Sequence, residues 1–354
     1  MMSSLEQAWY RRDGWLLLLW PIALLFQLLA ALRKALQGGG RKPAGDELPV
    51  IVVGNISVGG TGKTPLIIEL ANALKVVGLR PAIISRGYLS KAPHYPFLVK
   101  PDSDPVECGD EPLLLCSRTE CPVVIDPDRV RGLHYIRTEL AHLNCDVVLS
   151  DDGLQHYAMR RDMEIAVVDG ARLFGNGMCL PAGPLREPVS RLERVEHIVI
   201  NGENSQTADY PQLARAVTMR YVPRFLINQV SGEKKPFNGA PFHIGSTVHA
   251  VSGIGNPRRF YDMLTRLPYQ LERHEFPDHH GFTEADLNTI DDHQPIVMTE
   301  KDAVKCRDFA KPNYWYLSIE VNLPPAFMET VVREIQALCA GRKKAAETAE
   351  KPHA

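Results

Sequence analysis

The chain has 354 residues, of which 45% are hydrophobic and 23% are charged, and its formal net charge is −2. This composition favours a folded protein of two domains and excludes bulk disorder, while the near-neutral charge argues against a nucleic-acid partner. The seven cysteines form no C-x-x-C pair, which indicates reduced thiols and excludes a zinc site or disulfide framework built on them.

The first predicted element is an apolar helix. Residues Trp15 to Leu32 are nearly all apolar and are flanked by basic residues on both sides. A helix of this length spans about 27 Å, slightly less than a hydrocarbon core of about 30 Å. We interpret residues 1–36 as a membrane-associating helix that lies in the interface, with aromatic anchors at Trp9, Trp15 and Trp20.

Three other interpretations of this segment compete with this one. A signal peptide would need a small-x-small cleavage site, which the sequence lacks, and would carry the chain out of the cell. A helix that spans the membrane stays open. A core helix of a soluble protein would normally show a polar stripe, which this segment lacks. A glycine-rich, charged linker, "QGGGRKPAGDE", follows the helix.

From Pro49 onward, apolar runs alternate with helical patterns. Continuous Val/Ile/Leu runs separated by helices predict a doubly wound, mostly parallel α/β sheet that is buried on both faces. The predicted strands are 50–54, 81–85, 122–125, 146–150, 164–168 and 197–200, and the predicted helices are 64–77, 110–118 and 129–143.

The pattern loosens around residues 202–245, which we interpret as a domain boundary. The first domain is then residues 47–222, and residues 223–340 form a smaller α/β domain whose last helix lies near 324–339. The tail, residues 341–354, is charged and lacks a periodic apolar face, so it is expected to be disordered.

A phosphate-binding loop follows the first predicted strand. The stretch "SVGGTGKT" matches the Walker A pattern except that Ser57 replaces its first glycine. Glycines let several backbone N–H groups face one phosphate chain, at the positive end of the following helix. The predicted nucleotide-binding residues are Ser57, Val58, Gly59, Gly60, Thr61, Gly62, Lys63 and Thr64. Lys63 would reach the β- and γ-phosphates of ATP, and the Thr64 hydroxyl would bind Mg²⁺.

Two carboxylates, Asp151 and Asp152, end the predicted strand at 146–150. A magnesium–nucleotide site needs such an acid near the loop, and adjacent residues of a strand point to opposite sides. Which of the two binds the metal stays open. The chain has no N-K-x-D motif, which excludes a typical GTPase, and Val58 occupies the place of the second lysine of partitioning ATPases. Both absences favour a kinase.

An ordered set of motifs carries a family resemblance. These are "GNISVGGTGKTP", "SRGY", "GDEP", "SDDGLQH", "LPAGPLREP", "FPDHHGFT" and "TEKDAVK". Together they resemble the tetraacyldisaccharide 4'-kinases, the lipid A 4'-kinases of Gram-negative bacteria, along the chain to about residue 320. The resemblance implies a P-loop core, a smaller C-terminal domain that closes the active site, and ATP and Mg²⁺ as cofactors.

The resemblance also implies a substrate and a location. Such enzymes phosphorylate the 4'-hydroxyl of a tetraacyldisaccharide 1-phosphate at the cytoplasmic face of the inner membrane. A lipid with four acyl chains stays in the membrane, which gives the apolar helix at residues 1–36 a purpose. The expected partners are therefore this lipid and the membrane surface, and no obligate protein partner is expected. The protein itself would be a peripheral or monotopic membrane protein.

The same resemblance assigns the active-site residues. Asp110 matches the catalytic aspartate, and His279 matches the histidine that pairs with it. The adjacent His280 is the alternative candidate for this histidine. An aspartate held by a histidine can accept the proton of a sugar hydroxyl. Glu111 is either a metal ligand or an ordinary acid of a first helical turn.

Further residues are expected to contact the substrate or its phosphates. They are Arg86, Tyr88, His156, Arg186 and Glu187. The alternative for Arg186 and Glu187 is a surface ion pair. Arg129 and Arg131 are further candidates between which the sequence does not choose, and Lys301 is interpreted as structural because Thr299 and Asp302 form an ordinary helix start.

Overall fold

The structure, a computed structural model, describes residues 4–37, 48–239, 241–290 and 293–349. The predicted linker lies outside these residues except for Gln37. The strands are β1 Val50–Gly54, β2 Pro81–Ser85, β3 Phe97–Val99, β4 Val123–Ile125, β5 Val147–Asp151, β6 Met163–Asp169, β7 His197–Asn201, β8 Val217–Asn228, β9 Lys234–Pro236, β10 Thr247–Ser252, β11 Gln270–Glu275, β12 Ile296–Thr299 and β13 Tyr314–Asn322. The helices are α1 Ser4–Arg11, α2 Trp20–Leu36, α3 Lys63–Val76, α4 Pro105–Cys108, α5 Asp110–Thr119, α6 Arg129–Thr138, α7 Arg258–Leu264, α8 Glu284–Asn288, α9 Glu300–Ala303 and α10 Pro325–Ala349.

The thirteen strands form one continuous sheet, in the order β11-β10-β12-β13-β8-β7-β6-β1-β5-β2-β4-β3 with β9 beside β8. The pairs around β1 and those from β10 to β13 are parallel. Helices α3, α5 and α10 cover one face of the first half, and α6 lies on the opposite face. Every residue of β1 is buried, as its uninterrupted apolar run predicts. The predicted α/β class is confirmed.

Strand β8 joins the two halves of the sheet. Its first residues pair in parallel with β7, and the rest pairs antiparallel with β13. The predicted boundary between residues 222 and 223 therefore falls inside a strand. The sequence hides β8 because its side chains alternate poorly between buried and exposed and because Pro223 lies in it, at an irregularity of the ladder.

The prediction of a disordered tail is wrong for residues 341–349, which continue α10. This segment is rich in Ala, Lys and Glu, which favour helix, and two ion pairs anchor it. Arg342 lies 2.6 Å from Asp162 and Lys343 lies 2.8 Å from Asp146. Residues 350–354 lie outside the described part. Since α10 packs on the face of the first half beside α3, the last helix belongs by packing to the first half of the sheet.

The N-terminal segment lies on the protein with most of its apolar side chains exposed. Gly14–Leu36 is helical, long and apolar enough to cross a membrane, and only 11% buried. Leu16 and Ala23 face the protein, which excludes a core helix as the interpretation. The exposed residues are Trp15, Leu17, Leu18, Trp20, Ile22, Leu24, Leu25, Leu28, Leu29, Leu32 and Leu36. The prediction of Trp9 as a membrane anchor is wrong, because its buried indole Nε1 donates to the carbonyl of Pro181.

Candidate active site

The glycine-rich loop connects β1 to α3 in two left-handed bends. Gly59 has φ 89° and Gly62 has φ 101°, values that side chains rarely allow. A Cβ atom at Gly62 would also collide with the side chains of Asn201 and Tyr221. The bend at Gly62 leads directly into α3 at Lys63, which places the positive end of that helix at the loop.

Neighbouring side chains hold the loop through its carbonyl groups. Asn55 Nδ2 donates to Gly59 O at 3.3 Å, and Asn201 Nδ2 donates to Thr61 O at 3.0 Å. Arg172 Nη2 donates to Gly60 O at 2.5 Å. Because the carbonyls point outward to these donors, the later amides of the loop can face inward. The Val58 amide is an exception, since it donates to Pro184 O at 2.8 Å.

The two acids after β5 diverge. Ser85 Oγ donates to Asp151 Oδ2 at 3.1 Å, while the buried Asp151 Oδ1 has no hydrogen-bond partner in the described part of the chain. Asp152 instead pairs with Lys63 at 3.5 Å and with Arg186 at 3.0 Å. Burial and the nearby Glu111 raise the pKa of Asp151. Burial opposes ionisation of Asp152 too, but Lys63 and Arg186 outweigh it and lower its pKa.

The structure separates Arg129 from Arg131, which the sequence does not. The buried Arg129 donates through Nη2 to the carbonyl oxygens of Asp151 and Asp152, at 3.0 and 3.1 Å. It therefore fixes the backbone that carries both acids. Arg131 lies on the same helix but pairs with Asp126, 2.7 Å away.

Asp110 and His279 meet although 169 positions separate them in the chain. His279 Nδ1 lies 3.2 Å from Asp110 Oδ2. Asp110 begins α5, while His279 lies in the loop after β11 in the left-handed conformation, with φ 57°. His280 points elsewhere: its ring stacks on Phe276 and its Nε2 lies 3.3 Å from Asp286.

The environment of this pair sets its charge. Burial would raise the pKa of Asp110, but the hydrogen bond with His279 and the charge of Lys301 lower it to about 2. The same hydrogen bond raises the pKa of His279 above its usual value. Tyr88 places its ring edge-on against His279, with centroids 5.6 Å apart. An ionised carboxylate therefore lies against a histidine whose protonated form it favours.

Comparisons with known proteins show the family of this chain. The family model described as Tetraacyldisaccharide-1-P 4'-kinase matches residues 15–336. The chain belongs to this family. The tetraacyldisaccharide 4'-kinase of Nitrosococcus oceani is 47% identical over 97% of this chain and 96% of its own. That of Hahella chejuensis is 44% identical over 97% and 99%.

A solved structure is also similar. The crystal structure of LpxK from Aquifex aeolicus in complex with ATP has a TM-score of 0.70 and 28% identity to this chain. The likeness covers 90% of this chain and 98% of that one. The resemblance drawn from the motifs is thus confirmed at the level of the family and the fold.

In this member of the tetraacyldisaccharide 4'-kinase family, Lys301 lies at the site, although the sequence favours a structural role for it. Thr299 does cap α9, as predicted. Lys301 Nζ nevertheless lies 2.9 Å from Glu111 Oε1, 3.7 Å from Asp110 Oδ2 and 3.5 Å from His279 Nε2. Burial disfavours its charged form, but Glu111 and Asp110 outweigh burial and raise its pKa. A purely structural interpretation of Lys301 is therefore incomplete.

Replacement of Lys301 by methionine is expected to lower kcat about 10- to 100-fold, since the charge that holds Asp110 and Glu111 disappears. Lys301 lowers the pKa of both Asp110 and His279, so the pH profile of kcat should shift to higher pH. Lys301→Arg keeps the charge and should restore the profile. Lys100→Met, at an exposed lysine, is the control. An unchanged pH profile in Lys301→Met would contradict this role.

The other residues predicted to contact the substrate differ in exposure and in their hydrogen-bond partners. Arg86 and Tyr88 are exposed after β2. His156 Nε2 is buried without a hydrogen-bond partner among the described residues, and burial and Arg129 lower the pKa of His156 to about 4. Arg186 points to Asp152, whereas Glu187 is buried and accepts from Gln155 Nε2 at 2.8 Å and from the Tyr157 hydroxyl. The two therefore form no surface ion pair.

Proposed function

We propose that this chain transfers the γ-phosphoryl group of ATP to the 4'-hydroxyl of a tetraacyldisaccharide 1-phosphate, in lipid A biosynthesis. Its relatives carry the name tetraacyldisaccharide 4'-kinase over nearly their full length, and a similar structure holds ATP. The observation that carries the proposal is the contact between Asp110 and His279, which supplies a buried base. The adjacent Glu111 acts electrostatically on Asp151, as does Lys63 of the phosphate-binding loop.

The nucleotide is assigned to the loop at residues 57–64. Its carbonyls are held from outside by Asn55, Asn201 and Arg172, which supports an inward set of amides for the phosphates. Lys63 lies at the start of α3, where its charge and that of the helix end favour the β- and γ-phosphates. Ser57 and Val58 serve mainly as frame, since they pair with Leu185 and Pro184.

Mg²⁺ fits the acids near the loop. Asp151 has a buried oxygen without a hydrogen-bond partner within the described ranges, the arrangement expected of a metal ligand. We therefore assign Asp151 as the direct ligand, with Thr64 and Glu111 as further oxygen donors and Asp152 as the acid that orients Lys63 and Arg186. When bound, Mg²⁺ offsets negative charge on the phosphates.

Asp110 is assigned as the group that accepts the proton of the 4'-hydroxyl. Its low pKa keeps it ionised but makes it a weak base, which suits a loose transition state in which the proton leaves late. His279 orients the carboxylate through Nδ1 and can share the proton. We further propose that residues 223–340 close the active site, because His279 and Lys301 reach Asp110 and Glu111 from that part.

The substrate headgroup is assigned to the open side of this cluster. Arg86 and Tyr88 are exposed there, and Arg186 forms an ion pair with Asp152. A guanidinium of this kind can hold a phosphate by paired hydrogen bonds. We assign Arg186 and Arg86 to phosphate contacts and His156 to orienting Asp151 and Asp152. The buried Glu187 holds Gln155, which accepts a hydrogen bond from Arg186.

The exposed apolar face of Gly14–Leu36 is assigned to the inner membrane, on its cytoplasmic side, where the lipid substrate lies. Replacing Leu18, Leu25 and Leu28 by serine should remove membrane association, because each buried leucine contributes about 1.5–3 kcal/mol. Vesicle flotation measures it. The matched control replaces exposed apolar residues elsewhere, Val76, Val230 and Ile244, by serine and should still float. Undiminished flotation of the leucine variant would contradict the assignment.

The direct test incubates the purified protein with ATP, Mg²⁺ and a tetraacylated disaccharide 1-phosphate in mixed micelles. Mass spectrometry should then show a gain of one phosphate on the lipid, and fragmentation should place it at the 4'-position. A slow hydrolysis of ATP without phosphorylation of the lipid would instead indicate a nucleotide-switched ATPase. Phosphorylation of a water-soluble sugar but not of the lipid would indicate a small-metabolite kinase.

A further inference from the structure

A cluster of two histidines and a glutamate lies at the outer edge of the C-terminal half of the sheet. His249 is buried on β10, while Glu272 is exposed and His274 is partly buried on β11, the last strand of the sheet. We call these three residues the edge cluster. None of them belongs to the predicted site, and none is used in the proposed phosphoryl transfer.

The strand register brings the three side chains to one face. His249 lies directly opposite Glu272 in the parallel ladder between β10 and β11. His274 follows Glu272 by two residues, and residues two apart on a strand point to the same side. The three side chains are therefore brought together by the pairing of two strands and not by the conformation of a loop.

The distances suit a small tetrahedral cation. His249 Nδ1 lies 3.0 Å from His274 Nε2 and 3.4 Å from Glu272 Oε2, and all three atoms lie within 4.8 Å of one another. Zinc binds imidazole nitrogen and carboxylate oxygen at about 2.0–2.2 Å, so the ligand atoms of a tetrahedral site are about 3.3–3.5 Å apart. Two of the three separations are close to this value.

Two arrangements of protons and ions fit these contacts. In the first, the Nδ1–H of His249 donates to both His274 Nε2 and Glu272 Oε2. In the second, a cation accepts one lone pair from each of the three atoms, and metal uptake distinguishes the two.

We propose that His249 Nδ1, His274 Nε2 and Glu272 Oε2 bind one Zn²⁺, with a water as the fourth ligand. Two imidazoles and one carboxylate form a donor set that zinc favours, whereas Mg²⁺ prefers oxygen ligands alone. The ion links the edge strand β11 to β10 through His274, which precedes His279 by five residues. Phe276 and His279 continue this contact by donating their amides to Ser252 and Gly253. The site therefore supports the position of His279 from a distance.

The test uses the full chain without an affinity tag, with excess Mg²⁺ and no nucleotide. Calorimetry should detect one Zn²⁺ per chain, and Co²⁺ in its place should give the visible absorption of a tetrahedral site. His274→Gln and Glu272→Gln should each weaken Zn²⁺ binding at least 10-fold. His142→Gln, at an exposed histidine outside the cluster, should bind as the original chain does.

Two results would overturn the proposal. The first is that the unmodified chain takes up no Zn²⁺. The second is that both variants take up Zn²⁺ as well as the unmodified chain does, which would indicate binding elsewhere, for example at the partly exposed Cys145. If His274→Gln fails to fold by circular dichroism, Glu272→Gln decides, since its side chain is exposed at the sheet edge. Neither variant alters a residue of the proposed catalytic site, so loss of zinc is separable from failure of the proposed function.

Discussion

Asp110→Asn is expected to lower kcat for phosphorylation of the lipid by about 10²–10⁴-fold, the usual contribution of a positioned base. The amide has nearly the shape of the carboxylate but cannot accept the hydroxyl proton. It also removes the negative charge from the acceptor of the hydrogen bond with His279, so the pKa of His279 should fall. ATP binding should persist, since Asp110 makes no contact with the loop at residues 57–64 among the described contacts.

Three measurements check this result. Steady-state kinetics gives kcat, calorimetry gives the affinity for ATP, and NMR titration gives the pKa of His279. Asp308→Asn is the control, because it removes an equally charged carboxylate from an exposed ion pair with Arg307. If Asp110→Asn keeps the original kcat, Asp110 is not the base. If it loses ATP binding as well, the defect is structural and the assignment fails.

The first half of the fold is largely predictable from local sequence. The strand at 50–54 and the loop after it are marked by an uninterrupted apolar run and by glycines ahead of Lys63, and both signals act over a few residues. β8 is not predictable in this way, since its partners β7 and β13 are set by tertiary pairing. Trp9 shows the same limit: its apolar surroundings suggest a membrane, but a carbonyl 172 positions away binds its indole.

The site divides along the same line. The order of motifs indicates Asp110 and His279 only through the family, because no spacing rule brings together residues so far apart in the chain. The sequence favours a structural role for Lys301, because Thr299 and Asp302 are a sufficient local explanation of its helix start. One signal was present: Lys301 and Lys305 are four residues apart, the spacing of one helical face. Although α9 ends at Ala303, both lysines lie within 4.0 Å of Asp110.

Lys63→Met is expected to lower kcat/KM for ATP by about 10²–10³-fold, as for the loss of one preorganised charge at a transferring group. Methionine keeps the length of the side chain and its helical preference, so α3 should stay intact. Asp152 keeps its ion pair with Arg186 at 3.0 Å and is not left as an unpaired carboxylate. The loss should therefore come from the phosphates and not from unfolding, and thermal denaturation should show a nearly unchanged Tm.

The pattern across two substrates makes this prediction specific. The affinity for ATP should fall with kcat, whereas the KM for the lipid should change little, because Lys63 lies on the nucleotide side, at the start of α3. The exposed Lys100→Met should behave as the original chain. A Lys63 variant with the original ATP affinity and kcat would show that the loop does not hold the phosphates. In that case the proton acceptor at Asp110 would have no phosphoryl group within reach, and the proposed kinase activity would fail with it.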